Sequence, residues 1–198
     1  TWADGVSSQT KYPLQIDPSI AICGDGTVIA GFLDTAGEGY PHRIATPRST
    51  DHGLTWLAAG VPYEGWAIQA DRPWVACAHS GGLYGNRAYV SWASIDPGVE
   101  ATVEVAYSTD HGATWQGQET VSEPGDLKAP MVVAGPDGEV YAVWQGETGV
   151  ELARSADGAG TWENVRTAAP IVNIDFGPHY RRWSFPTIAV DTSGGDHH

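Results

Sequence analysis

The stretch Ser49-Thr50-Asp51-His52-Gly53-Leu54-Thr55-Trp56 occurs again as Ser108-Thr109-Asp110-His111-Gly112-Ala113-Thr114-Trp115. Asp and Ser oxygens can accept hydrogen bonds from the backbone N–H groups of a turn, and glycine adopts backbone angles that other residues resist. The closing tryptophan can bury a large apolar area. The stretch therefore predicts a tight turn that is fixed by its own side chains and followed by a buried indole.

A third copy spans residues 155–162 and has Ala159 in the place of the glycine. Because alanine tolerates the glycine conformation poorly, we expect a shifted backbone in this turn. The residues that define the pattern are Ser49, Asp51, Gly53, Thr55 and Trp56 in the first copy, Ser108, Asp110, Gly112, Thr114 and Trp115 in the second, and Ser155, Asp157, Thr161 and Trp162 in the third.

A longer repeat surrounds these turns. Pro18, Pro73, Pro130 and Pro186 each open a short apolar segment, and they are 55, 57 and 56 residues apart. Each complete unit then contains a Gly-rich turn, a second apolar segment, an alternating third segment such as residues 103–107, and a less regular fourth. Period-two alternation is typical of strands with one buried face, and tight turns join antiparallel neighbours.

Four antiparallel strands in a repeat of this length predict an all-β fold, the β-propeller, with three complete blades and the first strand of a fourth. Residues 1–198 form one propeller region, with blades at about 17–71, 72–128 and 129–184 and a partial blade at 185–198. Propellers close with about four to eight blades. Three blades and a fraction cannot close alone, so either the natural protein is longer, or two or more chains complete a ring, or the blades form an open stack. Self-association is expected because apolar blade faces would otherwise contact water.

The composition excludes several classes of partner. Asp and Glu number 24 against 10 Lys and Arg, which gives a formal net charge of −14. This balance argues against binding to nucleic acid or to an anionic membrane surface. Apolar runs are too short for a membrane span. The histidines lack metal-ligand spacing and no cofactor motif is present, so neither a metal nor a cofactor is expected.

The eight-residue stretch resembles the Asp-box of the sialidase (BNR-repeat) superfamily. The resemblance implies that the boxes lie on the outer rim of the propeller as folding turns and contain no catalytic groups. It also implies, for a working sialidase, three arginines that bind the sugar carboxylate, a Tyr nucleophile assisted by a Glu, and an Asp acid. The first of those arginines belongs to an Arg-Ile-Pro motif, and Arg43-Ile44-Ala45 lacks the proline and lies on a third strand.

Candidate binding residues lie where the innermost strands begin, because these positions would surround one mouth of the central channel. They are Arg72, Lys128, Tyr180, Arg181 and Arg182. Together they would make a basic, aromatic-lined patch suited to an anionic glycan or another carboxylate ligand. Solvated or locally paired charges and packing between blades would equally account for these residue types.

Three functions fit this sequence. A non-catalytic propeller module that binds a glycan or protein is favoured by the incomplete arginine set. A sialidase-type exo-glycosidase would need residues from other blades or a partner. An architectural subunit would use the unpaired edge of the fourth blade. The resemblance and the composition favour an extracellular or periplasmic protein, and the sequence leaves open whether Cys23 and Cys77 are paired.

Overall fold

The computed structural model describes residues 10–37, 42–65, 69–78, 84–96, 98–171 and 185–192. In these residues twelve strands form three four-stranded antiparallel sheets, each made of four consecutive strands. Blade one contains β1 (Leu14–Ile22), β2 (Val28–Thr35), β3 (His42–Ser49) and β4 (Leu57–Gly65). Blade two contains β5 (Gln69–Cys77), β6 (Ala88–Ile95), β7 (Ala101–Ser108) and β8 (Gln116–Thr120). Blade three contains β9 (Lys128–Ala134), β10 (Val140–Gln145), β11 (Gly149–Ser155) and β12 (Arg166–Pro170).

These sheets confirm the predicted all-β propeller architecture with four antiparallel strands per blade. Within the described part of the chain, no helix has the length and apolar character needed to cross a membrane.

The innermost strands β1, β5 and β9 begin before the repeat prolines, two to four residues earlier than the apolar segments themselves. The residue before each proline has a left-handed backbone, with φ of 52° at Asp17, 50° at Arg72 and 51° at Ala129. The pairing register shifts at each of these points. Each innermost strand therefore passes through a bulge, which turns the residue before the proline away from the ladder.

Blades two and three each pack one face, here called the leading face, against the blade that precedes them. Val75 and Val132 lie on the leading faces of blades two and three and are 2% and 0% exposed. Ile20 holds the same repeat position in blade one and is 65% exposed. The side chain of Val75 lies so close to Gly31 of blade one that a Cβ there would meet it at 2.7 Å. The repeated pattern thus buries two leading faces and leaves that of blade one uncovered.

Blades one and two are joined covalently. Cys23 and Cys77 form a disulfide with a Cα–Cα distance of 4.9 Å. Close by, the Ser19 hydroxyl donates to the carbonyl oxygen of Pro73 at 3.1 Å and accepts from the backbone N–H of Val75 at 3.2 Å. The disulfide and these hydrogen bonds fix the two innermost strands beside each other.

The segment predicted as the first strand of a fourth blade, Pro186 to Asp191, lies within described residues 185–192. Val190 of this segment lines a groove between the innermost strands, together with Ala21 of β1, Ala76 of β5 and Val133 of β9. Alternate residues of the segment are exposed and half-buried, as expected for an extended chain with one covered face. The segment is not a strand of any of the three sheets. Its position is that of an innermost strand.

Candidate functional site

The starts of the innermost strands surround a cavity of about 370 Å³, here called the axial cavity. The three bulges and the segment after residue 184 contribute to its wall. The lining residues are Asp17, Pro18, Arg72, Pro73, Trp74, Ala129, Pro130, Met131, Phe185, Pro186 and Thr187. The wall is mainly apolar with two charged side chains, which is the composition typical of small-molecule sites.

Arg72 holds its guanidinium over the ring of Phe185, with Cζ 3.9 Å from the ring centroid. Such a stack restricts the side chain and leaves the edge of the guanidinium available as a donor. Trp74, two residues later on β5, is half-buried and lines the same cavity. An aromatic face beside a charged donor suits a ligand that has both apolar and hydroxyl-bearing surfaces.

Asp17 is the carboxyl group that lines the axial cavity among the described residues. Asp71, which immediately precedes Arg72 in β5, is not part of the wall. Burial raises the pKa of the Asp71 carboxyl, and the negative charge of Asp17 raises it further, while the positive charges of Arg72 and Lys128 oppose the shift.

The predicted binding residues differ in whether the structure places them in the cavity wall. Arg72 lines the axial cavity. Lys128 is not among the lining residues, and its Nζ lies 2.7 Å from a carboxylate oxygen of Asp126. Tyr180, Arg181 and Arg182 lie outside the described residues.

Sequence reasoning left Asp17 and Phe185 out of the candidate binding residues, although both lie at the strand starts that were expected to surround the axis. A signal for Asp17 was present, since Asp17 and Arg72 both immediately precede a repeat proline. Phe185 holds the same position before Pro186. The position before the proline, more than the charge of the residue found there, identifies the side chains that surround the axis.

The three predicted box turns have one hydrogen-bond pattern. In the first, the Ser49 hydroxyl donates to Asp51 Oδ1 at 2.7 Å, and Asp51 accepts from the backbone N–H and hydroxyl of Thr55 at 2.8 and 2.5 Å. Ser108, Asp110 and Thr114 repeat these contacts in the second turn at 2.7–2.8 Å. Ser155, Asp157 and Thr161 repeat them in the third at 2.8 Å.

These contacts also alter the acidity of the aspartates. Hydrogen bonds from Thr55 and Ser49 lower the pKa of Asp51 to about 2. The backbone N–H of Thr161, together with the Ser155 hydroxyl, lowers the pKa of Asp157 to about 2. Each of these carboxylates is thus engaged in hydrogen bonds within its own turn.

The expected backbone shift in the third turn is not observed. Gly158 and Ala159 both have φ of 69°, and the equivalent pair His52 and Gly53 has φ of 62° and 85°. The Ala159 N–H donates to Ser155 Oγ at 2.9 Å, as the Gly53 N–H does to Ser49 Oγ at 2.8 Å. The expectation was wrong because the side-chain hydrogen bonds hold alanine in the left-handed region despite its steric cost.

One group of possible metal ligands occurs among the described residues. Cys23, Asp25 and His111 bring a sulfur, a carboxylate oxygen and a ring nitrogen close together at the junction of blades one and two. The sulfur of Cys23 is in the disulfide and offers no thiolate. His111 Nδ1 lies 3.4 Å from a carboxylate oxygen of Asp25, which is the geometry of an ion pair between blades.

Solved propeller structures resemble this fold. A protein of unknown function from Dyadobacter fermentans is 20% identical, with a TM-score of 0.61 over 79% of this chain and 51% of that one. The GH93 α-L-arabinofuranosidase of Fusarium graminearum, solved with arabinobiose, is 17% identical, with a TM-score of 0.59 over 91% and 53%. The Hadza microbial sialidase Hz136 is 16% identical, with a TM-score of 0.55 over 80% and 34%.

No family model and no curated protein matches the chain. The structural similarities, all at low identity, show the fold: this chain has the architecture of the propeller-like glycoside hydrolases. It spans about half the length of the first two structures and about a third of the sialidase.

Proposed function

We propose that this chain is a non-catalytic, glycan-binding part of a sialidase-like β-propeller, and that the glycan binds in the axial cavity. The observation that carries the proposal is the convergence of Arg72, Trp74 and Asp17 on one cavity of about 370 Å³ at the propeller axis. The glycoside hydrolases among the structural neighbours support a carbohydrate ligand. The three box turns support the likeness to the Asp-box superfamily.

Calorimetric titration of the purified chain with arabinobiose and with sialyllactose tests this proposal. At least one sugar should bind, and Arg72→Gln or Trp74→Ala should weaken that binding about tenfold or more, as expected when a central contact in a buried pocket is lost. Arg166→Gln is the matched control, because Arg166 is exposed on β12 and lies outside the cavity. No binding of either sugar would refute the proposal.

Glycoside hydrolysis is the second candidate function, and it is favoured by Asp17 in the cavity wall together with Asp71, which adjoins the lining residue Arg72 in β5. A glycosidase needs a proton donor and an opposed carboxylate or other nucleophile. Asp71, whose pKa burial raises, and Asp17 are the described candidates for those roles. Release of fluorophore from a sialoside or an α-L-arabinofuranoside by the purified chain, with loss of turnover in Asp71→Asn, would replace the non-catalytic proposal with this one.

We also propose that a second copy of the chain covers the leading face of blade one. Ile20 and Ile22 are 65% and 60% exposed there, and their counterparts Val75 and Cys77 in blade two are buried. Two copies would supply a ring of about the length of the Dyadobacter and Fusarium structures, since one copy spans about half of each. This arrangement makes the chain an architectural subunit as well as a binding module.

Light scattering on the purified chain tests the second-copy proposal. A dimer has a mass of about 42 kDa, twice the 21.0 kDa of one chain. Ile20→Asp should convert the dimer to a monomer, and Val99→Asp should not, because Val99 is 61% exposed in a loop outside the leading face. A monomeric parent protein would refute this proposal.

The disulfide supports the further proposal of an extracellular or periplasmic location. Cys23 and Cys77 are bonded at a junction between blades. Disulfides persist in secreted and periplasmic proteins and are rare in reducing cytosol. Mass spectrometry of the natural protein after alkylation without reduction should find both cysteines unmodified by the reagent.

A further inference from the structure

Asp17 and Arg72 hold equivalent positions in successive repeats and carry opposite charges. Each immediately precedes a repeat proline, and their φ angles of 52° and 50° are nearly the same. Both line the axial cavity. Ala129, the third residue of this kind, also lines the cavity and has no charge. The innermost strands therefore present one carboxylate and one guanidinium to the same space.

Among the described residues, the positive charge of the cavity wall comes from one side chain. The Lys128 ammonium group is paired with Asp126 at 2.7 Å and is not part of the cavity wall. Arg72 is the cationic side chain among the lining residues, and Asp17 is present in the same wall. Asp71 adds a further carboxyl group close to Arg72 and Asp17, which influence its ionisation.

We propose that the axial cavity selects uncharged sugars over sugars that bear a carboxylate, and that Asp17 is the residue that determines this selection. The inference rests on the proposed glycan-binding function and names the class of its ligand. A neutral sugar can donate a hydroxyl hydrogen bond to Asp17 and accept one from Arg72 while its ring contacts Trp74. A carboxylate sugar that reached Arg72 would bring its negative charge towards Asp17, and like charges in a partly closed site repel.

This selection departs from the anionic ligand that the sialidase resemblance implies. That expectation relied on a basic patch, of which the structure places Arg72 in the cavity wall and Lys128 outside it, while Tyr180, Arg181 and Arg182 lie outside the described residues. A guanidinium that shares a cavity wall with a carboxylate attracts an anion less strongly than an isolated guanidinium does. It retains the directional donors and acceptors by which a site recognises hydroxyl groups.

The test is a comparison of two probes, arabinobiose without a charge and sialyllactose with a carboxylate, by calorimetry on the full chain. The parent protein should bind arabinobiose roughly tenfold more tightly, the size expected for one unit charge acting at about 8 Å through a partly solvated cavity. Asp17→Asn should raise the affinity for sialyllactose by a similar factor and so remove most of the preference. Asparagine tolerates a left-handed backbone as well as aspartate does, so the bulge is retained.

Glu119→Gln is the matched control, because Glu119 carries the same charge on the exposed outermost strand β8, outside the cavity wall. It should leave the ratio of the two affinities unchanged. A salt series on the parent protein gives an independent readout: raising NaCl from about 0.05 to about 0.5 M should narrow the preference, because salt screens the repulsion.

The outcomes separate this inference from the proposed function. If sialyllactose binds more tightly than arabinobiose, or if Asp17→Asn leaves the ratio unchanged, the selection by Asp17 is refuted and glycan binding stands. If neither sugar binds, both the function and the selection are refuted. If arabinobiose binds more tightly and Asp17→Asn shifts the ratio towards sialyllactose, both are supported.

Discussion

The indole Nε1 of Trp115, the last residue of the second box turn, donates a hydrogen bond to the hydroxyl of Thr46 at 2.8 Å. Trp115 belongs to blade two and Thr46 to β3 of blade one, where it is fully buried. The Thr46 hydroxyl in turn donates to the carbonyl oxygen of Gly60 at 3.0 Å. The box turn of blade two is thus hydrogen-bonded to the preceding blade.

Thr46→Val should destabilise the protein by about 1 kcal/mol or somewhat more, because it leaves the indole N–H of the half-buried Trp115 without its acceptor. Trp115→Phe removes the donor together with part of the packing. In a double-mutant cycle measured by urea unfolding, the two changes should show a coupling energy of at least about 0.5 kcal/mol. Strict additivity would show that the hydrogen bond contributes nothing to the stability of the junction.

Val105 of blade two holds the repeat position that Thr46 holds in blade one. Trp162 of blade three packs against the core cluster that contains Val105, and its buried Nε1 has no hydrogen-bond partner among the described residues. Val105→Thr should supply the missing acceptor and stabilise the protein by about 1 kcal/mol, the usual net value of a hydrogen bond. The control is the same change in a Trp162→Phe background, where the new hydroxyl would remain unpaired and should destabilise. Equal effects of Val105→Thr in both backgrounds would contradict the explanation.

Two glycines of the box turns allow backbone strain to be separated from crowding. Gly53 and Gly112 have φ of 85° and 82°, but a Cβ on Gly53 meets nothing within 4 Å, and one on Gly112 lies 3.1 Å from Ile29. Gly53→Ala should cost about 1 kcal/mol from backbone strain alone. Gly112→Ala should cost more, because Ile29 is fully buried and cannot move freely. Equal losses in urea unfolding would rule out the contribution of crowding.

Acid should weaken the box turns. The pKa of both Asp51 and Asp157 is about 2, well below that of an aspartate in an unfolded chain. Such groups stabilise the fold above the unfolded pKa, and this contribution is lost as the pH falls from about 5 towards 2. Thermal unfolding across this range should show a falling midpoint, and Asp51→Asn should flatten the slope. An unchanged slope in that variant would mean that other carboxyl groups cause the acid sensitivity.

Loss of the disulfide should be costly. Cys23 and Cys77 are 54 residues apart, and closing a loop of this size in the unfolded chain is worth about 4 kcal/mol in the chain-entropy model. The double variant Cys23→Ala, Cys77→Ala should therefore unfold at a clearly lower urea concentration than the oxidised parent. Reduction of the parent should lower its midpoint similarly, and it should leave the midpoint of the double variant unchanged.

The architecture could be predicted from the sequence because the same sequence pattern recurs in each blade. Prolines at a nearly constant spacing and three copies of one turn locate the blades without knowledge of any long-range contact. The spacing of Cys23 and Cys77, about one repeat, also carried a signal for their pairing, since it places both near the same level of adjacent blades. Their distance of 4.9 Å between Cα atoms became visible only in the folded chain.

The candidate site was less accessible to sequence reasoning for a physical reason. Which charges face the axis depends on the bulge at each proline and on local pairs such as Lys128 with Asp126. Neither follows from residue type. Charge alone therefore selected Lys128, which lies outside the cavity wall, and passed over Asp17, which lines it.

The left-handed step before each repeat proline has a consequence for how such a protein changes over time. Asp17, Arg72 and Ala129 share one backbone conformation although their side chains are an acid, a base and a methyl group. The same backbone step holds all three, so a single replacement at any of these positions can change the charge at the axis while strand pairing is preserved. The repeat can therefore vary its axial surface on one unchanged scaffold.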